Sequence, residues 1–441
     1  MTGGAFAQID AYVEAHRDEL VGLVQALVRF DTTSVDLAPG SDHTSNDEAA
    51  AQAFIAEELR ASGLEIDQWE PDRRELKTHP MMPPWHHFEG RPITVGRLRG
   101  TGHGRSLIVN GHIDVVSAGD VDRWTTPPFA AEVVDGRLTG RGACDMKGGI
   151  GAALFALRAL HACGLSPEGD VFFEAVTDEE TCAMGTIAAC VRGYRADAGL
   201  VPEPTNFDLW IATRGILHAT CSVTGRSAHA EMNQPSWQEG GGVNAISKTA
   251  RVIEALEELA ESWTGREDKV HPLLGVPGIH PTLIRGGAFI SNVPEQCELA
   301  LNSTYLPGNA DAAGFGSAPK AEIEAAIAGL AADDEWLAAN PPRVTWLTDY
   351  PPSEIDTSAP VIDIVREVSG PLGIEPRLGA IDTAYDGALL TIFADTPSPA
   401  WGPGDLTLAH APDESIDVDE LALAARLYAR AILTWCGHGH D

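Results

Sequence analysis

Five residues of metal-ligand type stand at the ends of short apolar runs spread along this chain: His112, Asp145, Glu180, Glu203 and His410. Apolar runs of that length read as β-strands. An open α/β sheet presents its functional groups in a crevice outside the carboxyl ends of its strands. A fold that satisfies the pattern therefore gathers five separated segments at one site.

The remainder of the chain is long enough to carry such a site and more. With 441 residues and 44% hydrophobic content it can bury a large core, and its length suggests two domains. No stretch approaches the roughly eighteen uninterrupted apolar residues of a membrane helix. The start, Met-Thr-Gly-Gly-Ala-Phe-Ala, lacks the basic flank and apolar core of a signal peptide, so a cytoplasmic protein is expected. Seven cysteines without a Cys-x-x-Cys pair argue against a disulfide framework and a thiolate zinc ribbon. Cys144, next to Asp145, reads as a small packed side chain rather than a nucleophile. A formal charge of −34 repels nucleic acid and anionic membranes, so neither is expected as a partner.

Periodicity predicts helices over 8–30 and 46–62, the second capped by Ser45 or Asn46 and ended by Gly63. Strands are predicted at Ile93–Leu98, Ser106–Val116, Val171–Val176 and Ala198–Val201, with a helix over Lys147–Cys163. Strand and helix alternate, which favours a layered α/β domain with a mostly parallel central sheet. From Thr213 the order becomes β-α-β-β-α-β, ending near Thr348, the pattern of an independently folding ferredoxin-like α+β unit inserted into the first domain. The expected division is 1–212 and 349–441 for the catalytic domain and 213–348 for the insertion. A final helix is predicted over Asp419–Thr434.

Each candidate residue has an ordinary explanation beside the chemical one. In His112-Ile113-Asp114 the acid stands two residues on, placed to orient the imidazole, but a lone His-x-Asp is also common in cores. Asp145 lies among Gly140, Gly142, Gly148 and Gly149, where it is either aimed inward by close backbone approach or is the N-cap of the following helix. Glu179 and Glu180 are adjacent acids just past a strand, either a charged loop tip or a pair separated in the fold by a cation or a proton. Glu203 is held extended between Pro202 and Pro204, and His410 follows the rigid Gly402-Pro403-Gly404 bend.

Taken together these segments resemble the M20 family of metallohydrolases, most closely its acetylornithine deacetylase / succinyl-diaminopimelate desuccinylase branch. The likeness runs collinearly through Gly111-His112-Ile113-Asp114, Trp124 with Pro127-Pro128-Phe129, Gly140–Gly149, Asp178-Glu179-Glu180, Pro202-Glu203-Pro204-Thr205, Ala228-His229, Asn244-Ala245-Ile246, Asn292-Val293-Pro294 and His410. It implies a zinc-exopeptidase-like catalytic domain with an inserted lid and dimerisation domain. It also implies two divalent metal ions, one held by His112 and Glu203, the other by Glu180 and His410, with Asp145 bridging. An all nitrogen and oxygen ligand set suits zinc, with cobalt or manganese as substitutes. Asp114 would support His112, and Glu179 would be the general base for metal-activated water. His229 matches a histidine that relatives donate from a partner subunit to the developing oxyanion, which implies a homodimer, and Asn292 matches a substrate-contacting position.

The expected activity is cleavage of the amide bond of an N-acyl amino acid or related N-acyl amine. A dipeptidase or carboxypeptidase of the same family is the alternative, and a non-catalytic metal-binding or ligand-binding protein the remote one. One departure bears on substrate: Asn302-Ser303-Thr304 stands where many relatives read Asp-x-Arg, and Thr304 lacks the guanidinium fork that grips a carboxylate. Two insertions stand out as well. Residues 74–92, rich in His and Pro, would either overhang the cleft or cover a sheet edge. The stretch Glu231–Gly242, with three glycines, reads as a mobile entry to the lid helix.

Overall fold

A computed structural model describes residues 2–34, 47–84 and 86–438. The expected caps Ser45 and Asn46, and Trp85 of the 74–92 insertion, lie outside the described residues. The chain forms two compact units, one of Met1–Ile211, Ile355–Ala380 and Tyr385–Asp441, the other of Ala212–Glu354 and Ile381–Ala384.

The first unit is built on a five-stranded sheet of β1 (Glu65–Trp69), β2 (Ile93–Leu98), β3 (Leu107–His112), β4 (Val171–Val176) and β5 (Ala198–Leu200), in the order β1-β2-β4-β3-β5. Strand β2 pairs antiparallel with β1 and β4, while β4, β3 and β5 run parallel, so β2 alone points the other way. Residues 397–401 extend the sheet beyond β5, with Gly199 N–H donating to Pro397 O at 2.9 Å and Val201 bridging Ala400 in parallel. The mostly parallel sheet expected from the alternating pattern is present. Every residue of β3 is buried, and helices touch it from two groups: Gly148–Ala162 on one hand and Asp386–Phe393 on the other. A strand covered on both faces reads as a continuous apolar run, which is why Leu-Ile-Val stands out in the sequence.

Helix boundaries follow local chemistry. The predicted helix over 8–30 is two, Thr2–Ala15 and Arg17–Arg29. The break falls at His16, whose ring stacks on Tyr12 with centroids 4.1 Å apart and whose Nδ1 reaches Tyr12 O at 2.8 Å. That contact adds a second donor to a carbonyl that already accepts the His16 backbone N–H at 3.1 Å, folding the ring back on the last turn of the first helix. The strand expected over Ser106–Val116 stops at His112. Strand β1 was not foreseen, because Glu-Ile-Asp-Gln-Trp at a sheet edge carries only two apolar side chains.

In the second unit the strands β6 (Gly215–Thr224), β7 (Ile279–Gly286), β8 (Gln296–Tyr305) and β9 (Arg343–Tyr350) form an antiparallel sheet in the order β7-β8-β6-β9. Helices Ala245–Trp263 and Ser317–Gly329 complete the β-α-β-β-α-β order. Alternate residues of β8 are buried, and Cys221 and Leu299 pack with Val252, Leu256, Trp263 and Ile323 in one core. The stretch Glu231–Gly242 differs from its expected looseness. Ser236 and Glu239 form a reciprocal capping box around a short turn, Arg226 donates to Trp237 O at 2.6 Å, and Gly241 is there because a Cβ would meet Pro235 O at 1.9 Å. Gly241 and Gly242 serve close packing, and Gly240 a left-handed backbone at φ 96°.

Gly149, at the start of helix Gly148–Ala162, packs so tightly that a Cβ there would stand 2.0 Å from Pro202 O. Gly149→Ala is expected to displace the Pro202-Glu203 turn and destabilise the protein by about 2–4 kcal/mol. Urea denaturation measures the loss; a midpoint equal to that of the wild type would show that the turn yields freely.

Candidate metal centre and active site

The parallel strands β4, β3 and β5 deliver three segments of the site side by side. His112 is the last residue of β3, Glu179 and Glu180 follow β4 after Thr177-Asp178, and Glu203 follows β5. Asp145 comes from the tight turn Ala143–Lys147. It does not cap the following helix, whose N-cap position is Lys147. His410 lies in the loop beyond the 397–401 extension, with a left-handed backbone at φ 60°. All five expected ligands thus come together within the first unit.

They form two groups that share Asp145. In the first, His112 Nε2 lies 3.2 Å from Asp145 Oδ1 and 3.9 Å from Glu203 Oε1. In the second, His410 Nε2 lies 3.5 Å from Asp145 Oδ2 and 3.2 Å from Glu180 Oε1. Within each group one donor atom per residue lies within 4.8 Å of the others. A tetrahedral ion bound at about 2.0–2.2 Å spaces its donors about 3.3–3.6 Å apart, so both groups fit a small divalent cation. Asp145 offers one oxygen to each.

Electrostatics give the same answer. Burial raises the Glu203 carboxyl well above its usual range, and neighbouring Asp145 adds to the effect. Burial also raises Glu179, opposed by His112 and reinforced by Glu203 and Glu180. Burial raises Glu180, against its hydrogen bond to His410. Burial would keep the His112 imidazole neutral, but the Asp145 hydrogen bond and the charges of Glu179, Asp114 and Glu203 lift it well above its ordinary value. His410 rises to about 10 through its contacts with Asp145 and Glu180. Four carboxylates meet two imidazoles here, an excess of buried negative charge that cations relieve.

Asp114 performs a different task from the one its spacing suggests. The His112 Nδ1 contact is to the Asp114 backbone oxygen at 2.9 Å, and the Asp114 carboxylate is farther, at 3.7 Å. That carboxylate accepts hydrogen bonds from Ser34 Oγ at 2.8 Å and from the backbone N–H groups of Glu179 at 3.3 Å and Glu180 at 3.2 Å. It therefore holds both ends of the arrangement: its carbonyl fixes the imidazole tautomer, its side chain the acidic turn. Glu179 Oε2 stands 4.0 Å from His112 Nε2, beside the first group.

His229 and Asn292 belong to the second unit, where they face each other across a two-residue antiparallel ladder. Both are exposed. Thr304 Oγ1 accepts a hydrogen bond from Gly278 N at 3.0 Å, so its hydroxyl is engaged within the sheet. Cys144 is fully buried, donates to Asp405 O at 3.3 Å, and burial pushes its thiol far up, which leaves it inert.

Two buried acids beside the candidate site escaped sequence reasoning. Glu414, four positions after His410, is buried and accepts the backbone N–H groups of Cys144 and Asp145, each at 3.0 Å, while Arg141 donates to its other oxygen at 2.5 Å. It fixes the turn that carries the shared ligand. Asp386, buried in the first turn of helix Asp386–Phe393, has its carboxyl raised to about 7 by burial, against the attraction of His112. The only signal for Glu414 was its place in His-Ala-Pro-Asp-Glu; Asp386 gave none.

Comparison with known proteins decides the lineage, because the model of peptidase family M20/M25/M40 matches residues 108–434, which contain every residue of the site. The chain belongs to peptidase family M20/M25/M40. Among relatives of this M20 chain is the N-formyl-4-amino-5-aminomethyl-2-methylpyrimidine deformylase of Halalkalibacterium halodurans, 29% identical over 97% of this chain and 96% of its own. Succinyl-diaminopimelate desuccinylase 2 of Shewanella loihica is 28% identical over 88% of this chain and 95% of its own. The aminopeptidase PepT of Bacillus cereus shares the M20 fold, with a TM-score of 0.71 at 18% identity over 94% of this chain and 98% of its own.

Metal uptake must displace protons from this centre, since His410, raised to about 10, is protonated near pH 7.5 and an imidazole binds a metal only when neutral. Calorimetric titration of the metal-stripped protein with zinc in buffers of different ionisation enthalpy should show proton release, with affinity weakening as pH falls. Identical heats in all buffers would contradict the assigned ligand state.

Proposed function

We propose that this protein is a two-metal amidohydrolase that removes a small acyl group, formyl first among them, from the nitrogen of a compact amine. One observation carries the catalytic part: two three-donor groups share Asp145 with Glu179 standing beside them. Two divalent ions, zinc first and cobalt or manganese as substitutes, supply Lewis acidity toward the amide carbonyl and toward water when bound. His112, Glu203 and Asp145 hold one, and Asp145, Glu180 and His410 the other. Their three carboxylates bring −3 against +4, which leaves room for one further negative charge.

The chain's own groups then divide the proton work. Glu179, whose proton affinity is raised by burial and by Glu203, accepts the proton of the attacking water and delivers it to the departing amine. Asp114 keeps the Glu179-Glu180 backbone in place for that transfer. His410 is half exposed whereas His112 is buried, so the centre opens on the His410 side. His229 and Asn292, paired across their ladder, form a donor couple for the oxygen on which negative charge develops.

A small acyl group suits what the second unit lacks and what the relatives act on. Thr304 leaves its position without a guanidinium and is tied to Gly278, which disfavours substrates gripped there by a carboxylate, dipeptides among them. The deformylase relative spans nearly the whole chain.

His229 serves the active site of a second subunit in this scheme. Ile290 is 94% exposed and Phe289 65%, and both border a cavity of about 630 Å³ that Asn292 also lines. A second copy of the chain covering these apolar side chains makes a homodimer and brings His229 and Asn292 to the interface. Seven free cysteines suit the reducing cytoplasm, and among the described residues no helix is long and apolar enough to cross a membrane.

Zinc-restored enzyme is expected to hydrolyse N-formyl-4-amino-5-aminomethyl-2-methylpyrimidine and simpler N-formyl amines faster than N-succinyl amino acids or dipeptides. Glu179→Gln should keep both metals and lose turnover by about 10²–10⁴-fold. A screen in which dipeptides lead would transfer the assignment to the peptidase alternative. For the trans histidine, mixing inactive His229→Ala and Glu179→Gln subunits should restore part of the activity through hybrid dimers; no recovery despite proven subunit exchange would remove it.

A further inference from the structure

The turn that presents Glu179 is not a relaxed one. Asp178, immediately before it, has a left-handed backbone at φ 72°, and Ala183, which closes the turn, lies at φ 52°. Non-glycine residues in that region persist only where surrounding structure holds them. Asp178 O accepts from Thr181 N at 3.1 Å and Cys182 N at 2.9 Å, which ties the turn to itself. Its side chain is held from outside. His86 Nε2 lies 2.6 Å from Asp178 Oδ2, and Arg91 pairs with Asp178 Oδ1.

Both holding residues lie in or beside the 74–92 insertion, and both are buried. Arg91 also donates to Glu48 through two contacts of 2.8 Å and to Thr177 Oγ1 at 3.0 Å. His86 packs edge-on against Phe88 with centroids 4.4 Å apart, and its carbonyl accepts from Arg73 Nε at 2.8 Å. The insertion is therefore anchored at both ends of the segment that touches Asp178. Glu48, in the first turn of helix Glu48–Ala61, is held by Arg91 and by Thr177 Oγ1 at 2.8 Å. What His86 adds is a second, oppositely directed hold on the Asp178 carboxylate, which removes the rotation that one arginine contact leaves free.

We propose that His86 is a positioning residue for the reaction, fixing through Asp178 the turn that aims Glu179 at the substrate-side water; the inference rests on Glu179 being the general base. The insertion then braces the catalytic turn through His86 and Arg91. His86 is none of the five residues of the two groups that share Asp145; its donor atom lies near those of Asp178 and Cys182, a separate cluster.

The test is a double-mutant cycle on the metal-loaded enzyme with His86→Phe, His86→Gln and Glu179→Gln. His86→Phe should lower kcat by about 10- to 100-fold, with KM nearly unchanged and two metals retained. His86→Gln, which keeps a donor, should recover most of the loss. Added to Glu179→Gln, His86→Phe should cost almost nothing further, since it acts through the residue already removed. Hydrogen exchange should quicken at Thr181–Ala183 in His86→Phe and not across the sheet. Full kcat in His86→Phe, a loss accompanied by metal loss, or an undiminished further loss on the Glu179→Gln background would each overturn the proposal. If His86→Phe does not fold, His86→Asn, polar but too short to reach Asp178, takes its place under the same criteria. An active Glu179→Gln enzyme would instead refute the base assignment, whatever the exchange data at the turn show.

Discussion

Concentrated negative charge below the surface is the constraint on which this molecule is organised. Asp145, Glu179, Glu180 and Glu203 converge with only His112 and His410 among them, and Asp386 lies buried behind. The acids that surround this centre are treated differently. Glu414 is neutralised by Arg141, and Asp178 and Glu48 share Arg91. Paired buried charges satisfy themselves, while an unpaired group of carboxylates demands a cation or a proton. Arginine reaches Glu414, Asp178 and Glu48, and hydrogen bonds from Ser34 and two backbone N–H groups reach Asp114. Among the described residues no arginine pairs with the four inner acids. That distribution, more than any single distance, marks the inner set as a place for metal ions.

Parallel strands explain how five distant segments reach one point. Where β4, β3 and β5 run side by side, their carboxyl ends finish at the same level, and whatever residue follows each strand enters a shared crevice. His112, Glu180 and Glu203 were legible in the sequence for this reason: each follows a short apolar run, and their residue types are those that bind metals. Asp145 was legible through its glycines, of which Gly149 is there because Pro202 O occupies the space of a side chain. The ligands, in other words, are written locally.

The supports are not, because their roles depend on long-range hydrogen bonds to backbone groups. Glu414 holds Asp145 by accepting two peptide N–H groups some 270 residues away, and nothing in the spelling of either segment records the pairing. Asp114 shows the same limit in another way. Its spacing from His112 suggested a carboxylate on the imidazole, yet the strand ends at His112 and the chain turns, so the carbonyl meets the ring while the side chain swings to the Glu179 turn. Period-two reasoning fails where the strand stops. The split at His16 and the polar edge strand Glu65–Trp69 were lost for equally local reasons, a ring folded back on the last turn of a helix and an edge too polar to show its alternation.

Folding and metal binding are consequently difficult to separate in this chain. Native domains retain only about 5–15 kcal/mol of net stability, and burying several uncompensated carboxylates consumes a large part of such a margin. The metal-free centre partly escapes that cost by retaining protons: Asp386 is raised to about 7, Glu203 and Glu179 are raised well above their usual range, and His410 keeps its charge to about 10. A proton retained on a ligand, Glu203 or His410, is one that a divalent ion must expel, so metal affinity and site protonation oppose each other. Of the braces, Glu414 and Asp114 are also raised by burial, against Arg141 for the one and His112 and Ser34 for the other, whereas, in spite of burial, Arg91 and His86 hold Asp178 below its ordinary value. All three act on backbone turns, through hydrogen bonds at Asp145, Glu179 and Glu180 and through the Asp178 turn.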